Sequence, residues 1–258
     1  MDCLVFSAGL GTRLKPITDT MPKALVPVGG KPLIEHVVRK LKSSGIENVV
    51  VNVHHFADMI EKWAAEQDII PIRISDERGL LLETGGGVFH ARSFLEGCGR
   101  FLLHNVDIIS DLDLKWFTSM VKEGSMATLL VSERKSNRYL LFAPESMRLV
   151  GWMNTATGEV KTPYEDLDPE TCRKLAFSGI HILSDTVFGV MDDYVRERGL
   201  DADAARFPIV DFYLAVCAEH DICGVVAEDL HLVDVGKLDT LEIAEREISH
   251  LGNPDENN

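Results

Sequence analysis

The stretch Cys3-Leu4-Val5-Phe6-Ser7-Ala8-Gly9-Leu10-Gly11-Thr12-Arg13 decides the fold. Four apolar residues running into a turn of small residues read as a buried strand that empties into a glycine loop. Downstream, Pro32 sits where a first helical turn accepts it. Leu33, Ile34, Val37, Val38 and Leu41 then form a stripe at helical spacing, and Gly45 stands where a helix stops. Residues 48–53 are a second apolar run. Strand, loop, helix and strand in that order imply a parallel crossover.

The alternation continues. Strands are expected at 72–75, 101–105, 126–131, 177–182, 222–226 and 231–235, and helices at 88–95, 115–122, 209–217 and 238–251. The fold class is therefore α/β, a mixed, mainly parallel sheet flanked by helices. Residues 138–176 are less regular and are expected to form a small β-rich insertion or flap. No repeat or Pro-rich linker interrupts the order, so 1–251 reads as a single domain and 252–258 as a disordered tail.

The 258 residues carry a formal charge of -15, with 45% apolar and 26% charged side chains. That balance argues against a nucleic acid polymer as partner, because such binding neutralises many phosphates with Lys and Arg. It leaves a small anionic ligand open. Residues 9 to 31 hold Arg13, Lys15, Lys23 and Lys31 against the single acid Asp19, a basic island in an acidic chain. Cys3, Cys98, Cys172, Cys217 and Cys223 are scattered and give neither a disulfide framework nor a zinc site. With no basic leader and no apolar run of membrane length, a cytoplasmic protein with no membrane partner is expected, as a monomer or small homo-oligomer.

Glycine N–H groups face phosphate oxygens well, Arg13 adds a charge-assisted fork, and Lys23 adds a point charge. By itself Gly9-Leu10-Gly11 is a weak signal. No Gly-Lys-Ser/Thr closes it, and the spacing is not that of dinucleotide folds. Asp107 and Asp234 each follow an apolar strand, and two carboxylates with substrate phosphates are a common magnesium set; aspartates capping turns are the plainer alternative. The carboxylate of Glu83 only accepts hydrogen bonds, which suits the N–H of uracil or guanine; capping of a helix beginning near Gly87 is the alternative.

The motifs taken in order resemble the signature of the sugar-phosphate nucleotidyltransferase family, with its uridylyl and guanylyl branches nearest in pattern. They are Ala8-Gly9-Leu10-Gly11-Thr12-Arg13-Leu14, Pro22-Lys23-Ala24-Leu25-Val26-Pro27-Val28, Gly30 to Glu35, Leu82-Glu83-Thr84-Gly85-Gly86-Gly87, Asn105-Val106-Asp107, Phe177-Ser178-Gly179-Ile180 and Val233-Asp234-Val235-Gly236. The resemblance implies a Rossmann-like fold of the GT-A type. It also implies transfer of a nucleotidyl group from an NTP, UTP or GTP, to a sugar 1-phosphate with Mg2+ as cofactor. It assigns Ala8, Gly9, Leu10, Gly11, Thr12, Glu83, Gly86 and Asn105 to the nucleotide, and Arg13, Lys23 and Asp107 to catalysis. Asp107 and Asp234 would be the metal ligands, and Ser178 and Gly179 would line the sugar pocket.

Three positions depart from the family pattern. Val106 stands where relatives carry glycine, and Arg138-Tyr139-Leu140-Leu141 replaces a glycine-bearing strand. Lys237 stands where threonine is usual, and is expected either to bind the sugar phosphate or to pair with Asp234. No hexapeptide repeat follows, so no second catalytic function is expected. Two other readings remain at this point: a GT-A glycosyltransferase using Asp111-Leu112-Asp113, and a non-catalytic nucleotide-sugar binding protein.

Overall fold

Alternation along Asp2–Phe6 (β1) sets the layering. Leu4 turns to one side of the sheet with Val50 and Leu103, while Cys3 and Val5 turn to the other with Val49, Val51 and Leu102. A strand apolar on both faces needs a helical layer on each, and each fully buried Leu or Val there contributes about 1.5–3 kcal/mol relative to exposure. The computed structural model describes residues 1–251; the tail expected to be disordered lies outside the described residues.

In chain order the elements that follow β1 are Pro27–Val28 (β2), Lys31–Pro32 (β3), Leu33–Ser43 (α1), Asn48–Val53 (β4), Ala57–Glu66 (α2), Ile72–Asp76 (β5), Glu83–His90 (α3), Arg92–Leu95 (α4), Arg100–Asn105 (β6), Ile108–Ser110 (β7) and Leu114–Ser119 (α5). Then come Ala127–Ser132 (β8), Arg138–Phe142 (β9), Leu149–Asn154 (β10), Glu159–Lys161 (β11), Arg173–Ser184 (β12), Val187–Glu197 (α6), Ile209–Val216 (α7), Ile222–Val226 (β13), Leu232–Asp234 (β14) and Leu238–Leu251 (α8).

The described residues form a mixed sheet with the path β11-β10-β9-β12-β6-β1-β4-β5, and β8 pairs with both β12 and β13. Its centre is parallel: β1 lies between β4 and β6, and β4 pairs with β5. Strand β12 is antiparallel to β6, and through β9 it carries the sheet into the antiparallel ribbon β9-β10-β11. Helices α3, α6 and α7 cover one face, and α1, α2 and α5 the other. Since β1 is followed by β4 on one side and later by β6 on the other, the chain reverses its winding at β1. Ligands of open α/β sheets sit at the carboxyl ends of the strands at such a reversal.

Two helices, α2 and α6, occupy stretches to which the sequence reading assigns no element. In α6 the buried residues Val187, Phe188, Met191, Tyr194 and Val195 follow helical spacing that the sequence does contain. In α2 only Ala57 and Ile60 are buried, which is too thin a stripe to read. Helix α3 begins at Glu83 rather than at residue 88, so the glycines 85–87 lie inside it.

Candidate active site

The glycine loop leaves β1 directly at the reversal point. Gly11 adopts φ 62, and a Cβ there would stand 2.9 Å from Thr18 Cγ2 and 3.1 Å from Lys23 Cβ, so only glycine fits this turn. The loop is anchored by Asn52 at the end of β4. Asn52 Oδ1 accepts from Ser7 N at 2.7 Å and Ala8 N at 3.3 Å, and the Ser7 hydroxyl donates to Asn52 O at 2.6 Å. Asn52 Nδ2 in turn donates to Glu77 Oε1 at 2.8 Å. Glu77 is buried, and desolvation, the largest cause, holds its carboxyl above the usual range against the lowering effect of the Asn52 bond.

These groups open onto a cleft of about 520 Å³. Ala8, Gly9, Leu10, Gly11, Thr12 and Arg13 form one wall, with Asn105 and Asp107 beneath them at the end of β6. Lys23 and Glu83 complete the expected set on this cleft. Asn52, Glu77 and Thr84 line it as well, although the sequence reading does not single them out. The signal available for Asn52 and Glu77 is a polar residue at the carboxyl end of β4, the neighbour of β1, and another just after β5, the neighbour of β4.

Lys23 is buried and forms an ion pair with Asp107 Oδ2. Asp234 reaches the same place by strand pairing: β14 runs antiparallel to β7, with Asp234 opposite Ile108, and Val235 N donates to Asp107 O at 2.8 Å. The Asp234 carboxyl is raised above its ordinary range, first by desolvation and then by the negative charge of Asp107, while Lys23, Arg13 and Arg134 act in the opposite sense. Two adjacent carboxylates, one destabilised by the other, form an oxygen-only donor pair that fits a hard divalent cation. Gly236 lets Arg13 approach, since a Cβ there would lie 2.8 Å from an Arg13 guanidinium nitrogen.

Arg13 also lines a second cleft of about 730 Å³, bordered by Asp234, Arg134, Phe177 and the β9-β10-β11 ribbon. The two clefts thus share Arg13, and the carboxylate pair is divided between them, Asp107 lining the first and Asp234 the second.

Other expected site residues are placed elsewhere. Gly86 is buried inside α3, where a Cβ would collide with the carbonyl oxygen of Ala205; Gly85 and Gly86 serve close packing between α3 and the segment before α7, while Gly87 makes room for Glu77 and Asn52. Ser178 is 1% exposed and its hydroxyl has no hydrogen-bond partner, so it lies under the clefts rather than on their walls. Gly179 is buried with φ 73, and a Cβ there would stand 2.7 Å from Asn105 Nδ2, so this glycine makes room for the Asn105 side chain. Lys237 is exposed, lines neither cleft and has no ion pair with Asp234 among the described residues. Its backbone instead closes the start of α8 through Thr240. Val106 is buried and donates its N–H to Phe6 O at 3.1 Å.

Glu83 stands at φ 62 on the cleft wall, and its carboxylate accepts from Arg206 Nε at 3.1 Å rather than capping α3. Asp113 caps α5 through Lys115 N and Trp116 N, and Asp111 accepts from His231 N at 3.0 Å, so both carboxylates of that Asp-x-Asp are engaged by backbone.

Comparison with known proteins agrees with this geometry, since residues 3–248 match the nucleotidyl transferase family. The chain belongs to that family. It is 32% identical over 235 residues to an N-acetylmuramate alpha-1-phosphate uridylyltransferase of Caulobacter vibrioides, covering 88% of both chains. Against a mannose-1-phosphate guanyltransferase beta-B of Xenopus laevis it is 34% identical over 160 residues, 58% of this chain and 43% of that protein. A UTP-bound UGPase from Acinetobacter baumannii superposes with a TM-score of 0.73 at 17% identity, over 98% of this chain and 94% of that one, which bears on the fold alone. This nucleotidyltransferase therefore has the expected GT-A type architecture, and its relatives are sugar-phosphate uridylyl- and guanylyltransferases. Among the described residues no helix is long and apolar enough to cross a membrane.

Proposed function

We propose that this nucleotidyltransferase joins UTP or GTP to a sugar 1-phosphate, releasing pyrophosphate. The observation that carries the reading is the junction of the two clefts, where Arg13 is shared and Lys23, Asp107 and Asp234 meet. The triphosphate fits the glycine-loop cleft and the sugar phosphate the ribbon cleft.

A phosphate oxygen of the sugar attacks the α-phosphorus; that P–O bond forms as the bond to the β-phosphate oxygen breaks, and the electron pair leaves with pyrophosphate. The attacking phosphate is already ionised near neutral pH, so no side-chain base or nucleophile is required. Catalysis then rests on positioning and charge neutralisation. Loop N–H groups and the Arg13 fork hold the triphosphate, while the buried Lys23 ammonium donates to the reacting phosphates. Asp107 and Asp234 would hold Mg2+, which when bound supplies further neutralisation of phosphate charge. Glu83 faces the nucleotide cleft as an acceptor for uracil or guanine N–H, in exchange with Arg206.

The test is pyrophosphate release across four NTPs and a panel of sugar 1-phosphates. Release with UTP or GTP and one sugar 1-phosphate is expected; silence with every pair would reject the reading. Nothing favours the glycosyltransferase reading, because Asp111 and Asp113 are engaged by backbone N–H groups away from Asp107 and Asp234.

A further inference from the structure

A third cleft, of about 660 Å³, lies between the end of β11, the C-terminal end of α6 and the start of α7. That volume is of the size that small-molecule sites have. Its floor is apolar, with Phe207 and Leu214 buried and Leu200 half-buried. Three cations line it, Lys161, Arg198 and Arg206, against one carboxylate, Asp211. Lys161 is offset by Asp211 at 3.7 Å and by Glu159 at 3.9 Å. Arg198 is exposed, with its guanidinium carbon 4.4 Å from the centre of the Tyr194 ring and no carboxylate in ion-pair range among the described residues.

Arg206 joins this cleft to the nucleotide cleft. Its Nε donates to Glu83 Oε1 at 3.1 Å, and Glu83 lines the glycine-loop cleft. The backbone beside Arg206 is clamped to α3: Phe207 N donates to Leu82 O at 3.2 Å, and Phe207 O accepts from Gly85 N at 2.9 Å. The Arg206 side chain, 55% exposed, is what can turn between Glu83 and the third cleft. An anion in that cleft therefore competes with Glu83 for the Arg206 guanidinium.

We propose that the third cleft binds a small phosphorylated ligand with an apolar body, and that this ligand draws Arg206 off Glu83 and frees Glu83 for the base of the NTP. Guanidinium groups match phosphate oxygens in paired hydrogen bonds, and a phosphate monoester carries more negative charge near neutral pH than the carboxylate it displaces. The coupling rests on the function argued above; the site does not. By linkage, the NTP tightens the ligand by the factor with which the ligand tightens the NTP.

The probe is phenyl phosphate, a phosphate monoester on an apolar ring. In calorimetry it should bind the full chain even when the NDP-sugar product fills both clefts of the proposed reaction, and Arg198→Ala should weaken that binding about tenfold or more. In pyrophosphate release with Mg2+, saturating phenyl phosphate should lower the KM for the NTP about twofold to fivefold with kcat unchanged, because an exposed ion pair is a weak lock. Competition in either substrate cleft would raise the apparent KM instead. Arg198→Ala should keep the basal KM and lose the response. Arg206→Met should show the lowered KM without the probe and respond no further. Failure of the probe to bind the product-saturated wild-type protein, binding that Arg198→Ala leaves intact, or a KM that stays level or rises overturns the proposal while leaving the transferase reading standing. Absence of release with every substrate overturns the transferase reading instead, and the Arg198→Ala comparison on the free protein then still decides the site.

Discussion

Asn52 sits between the strand that ends in the glycine loop and the acid that steadies it. Its amide oxygen satisfies the N–H groups of Ser7 and Ala8. Asn52→Ala leaves those buried donors without a partner, at about 1–3 kcal/mol. The melting temperature should fall, and the dissociation constant for the NTP measured by calorimetry should rise. Unchanged affinity would remove Asn52 from the loop's support. Lys23 and Asp107 behave differently, because each touches the reacting phosphates in the proposed mechanism. Lys23→Ala and Asp107→Asn should each lower turnover by about a hundredfold to a thousandfold while circular dichroism reports a folded protein. Normal turnover in either variant contradicts the assigned role.

At the scale of elements, the short ladder between β7 and β14 carries Asp234 to Asp107 across more than a hundred residues of chain. The two apolar runs and the aspartate after each are plain in the sequence, but their pairing is a long-range contact that no local pattern encodes. Helix α3 makes the opposite point. The helix is expected only from residue 88, and glycine lowers helix propensity by about 1 kcal/mol per residue. The structure keeps Gly85-Gly86-Gly87 helical because the backbone before α7 packs against this run, with Gly85 N donating to Phe207 O at 2.9 Å. Gly86→Ala, favourable in an exposed helix, should here destabilise the protein by about 1–3 kcal/mol in urea unfolding through overpacking. A gain in stability would show that the contact yields easily.

For the whole molecule, two buried histidines make stability depend on pH. Burial lowers His104 to about 4 and His181 to about 3, the latter with Nδ1 beside the Tyr213 hydroxyl at 2.7 Å. In the unfolded chain both titrate near 6.5, so below that pH the unfolded state binds more protons than the folded one. Stability is therefore fully present above about 6.5 and falls as pH drops toward 4, by up to about 1.4 kcal/mol per pH unit for each histidine. Urea midpoints at pH 7.5, 6 and 5 should decline in step, and His104→Asn should flatten the slope. A slope that His104→Asn leaves unchanged would mean that this ring is not held neutral. The same buried core explains how far the sequence reads. Apolar periodicity marks β1, α1, β4 and β6, because burial on one or two faces repeats at intervals of two or about 3.6 residues, and small residues mark the glycine loop. The ordered motifs carry the family as well. Placement required the folded chain: Ser178, Gly86 and Lys237 share motifs with cleft residues, yet the first two are packed inside and the third turns away. Alternation of faces along β12 parts Ser178 from Phe177, Gly86 lies on the packed side of α3, and Lys237 falls in the turn before α8. Which side chain meets a ligand is set instead by contacts between distant segments, such as β7 with β14 and Asn52 with Ser7.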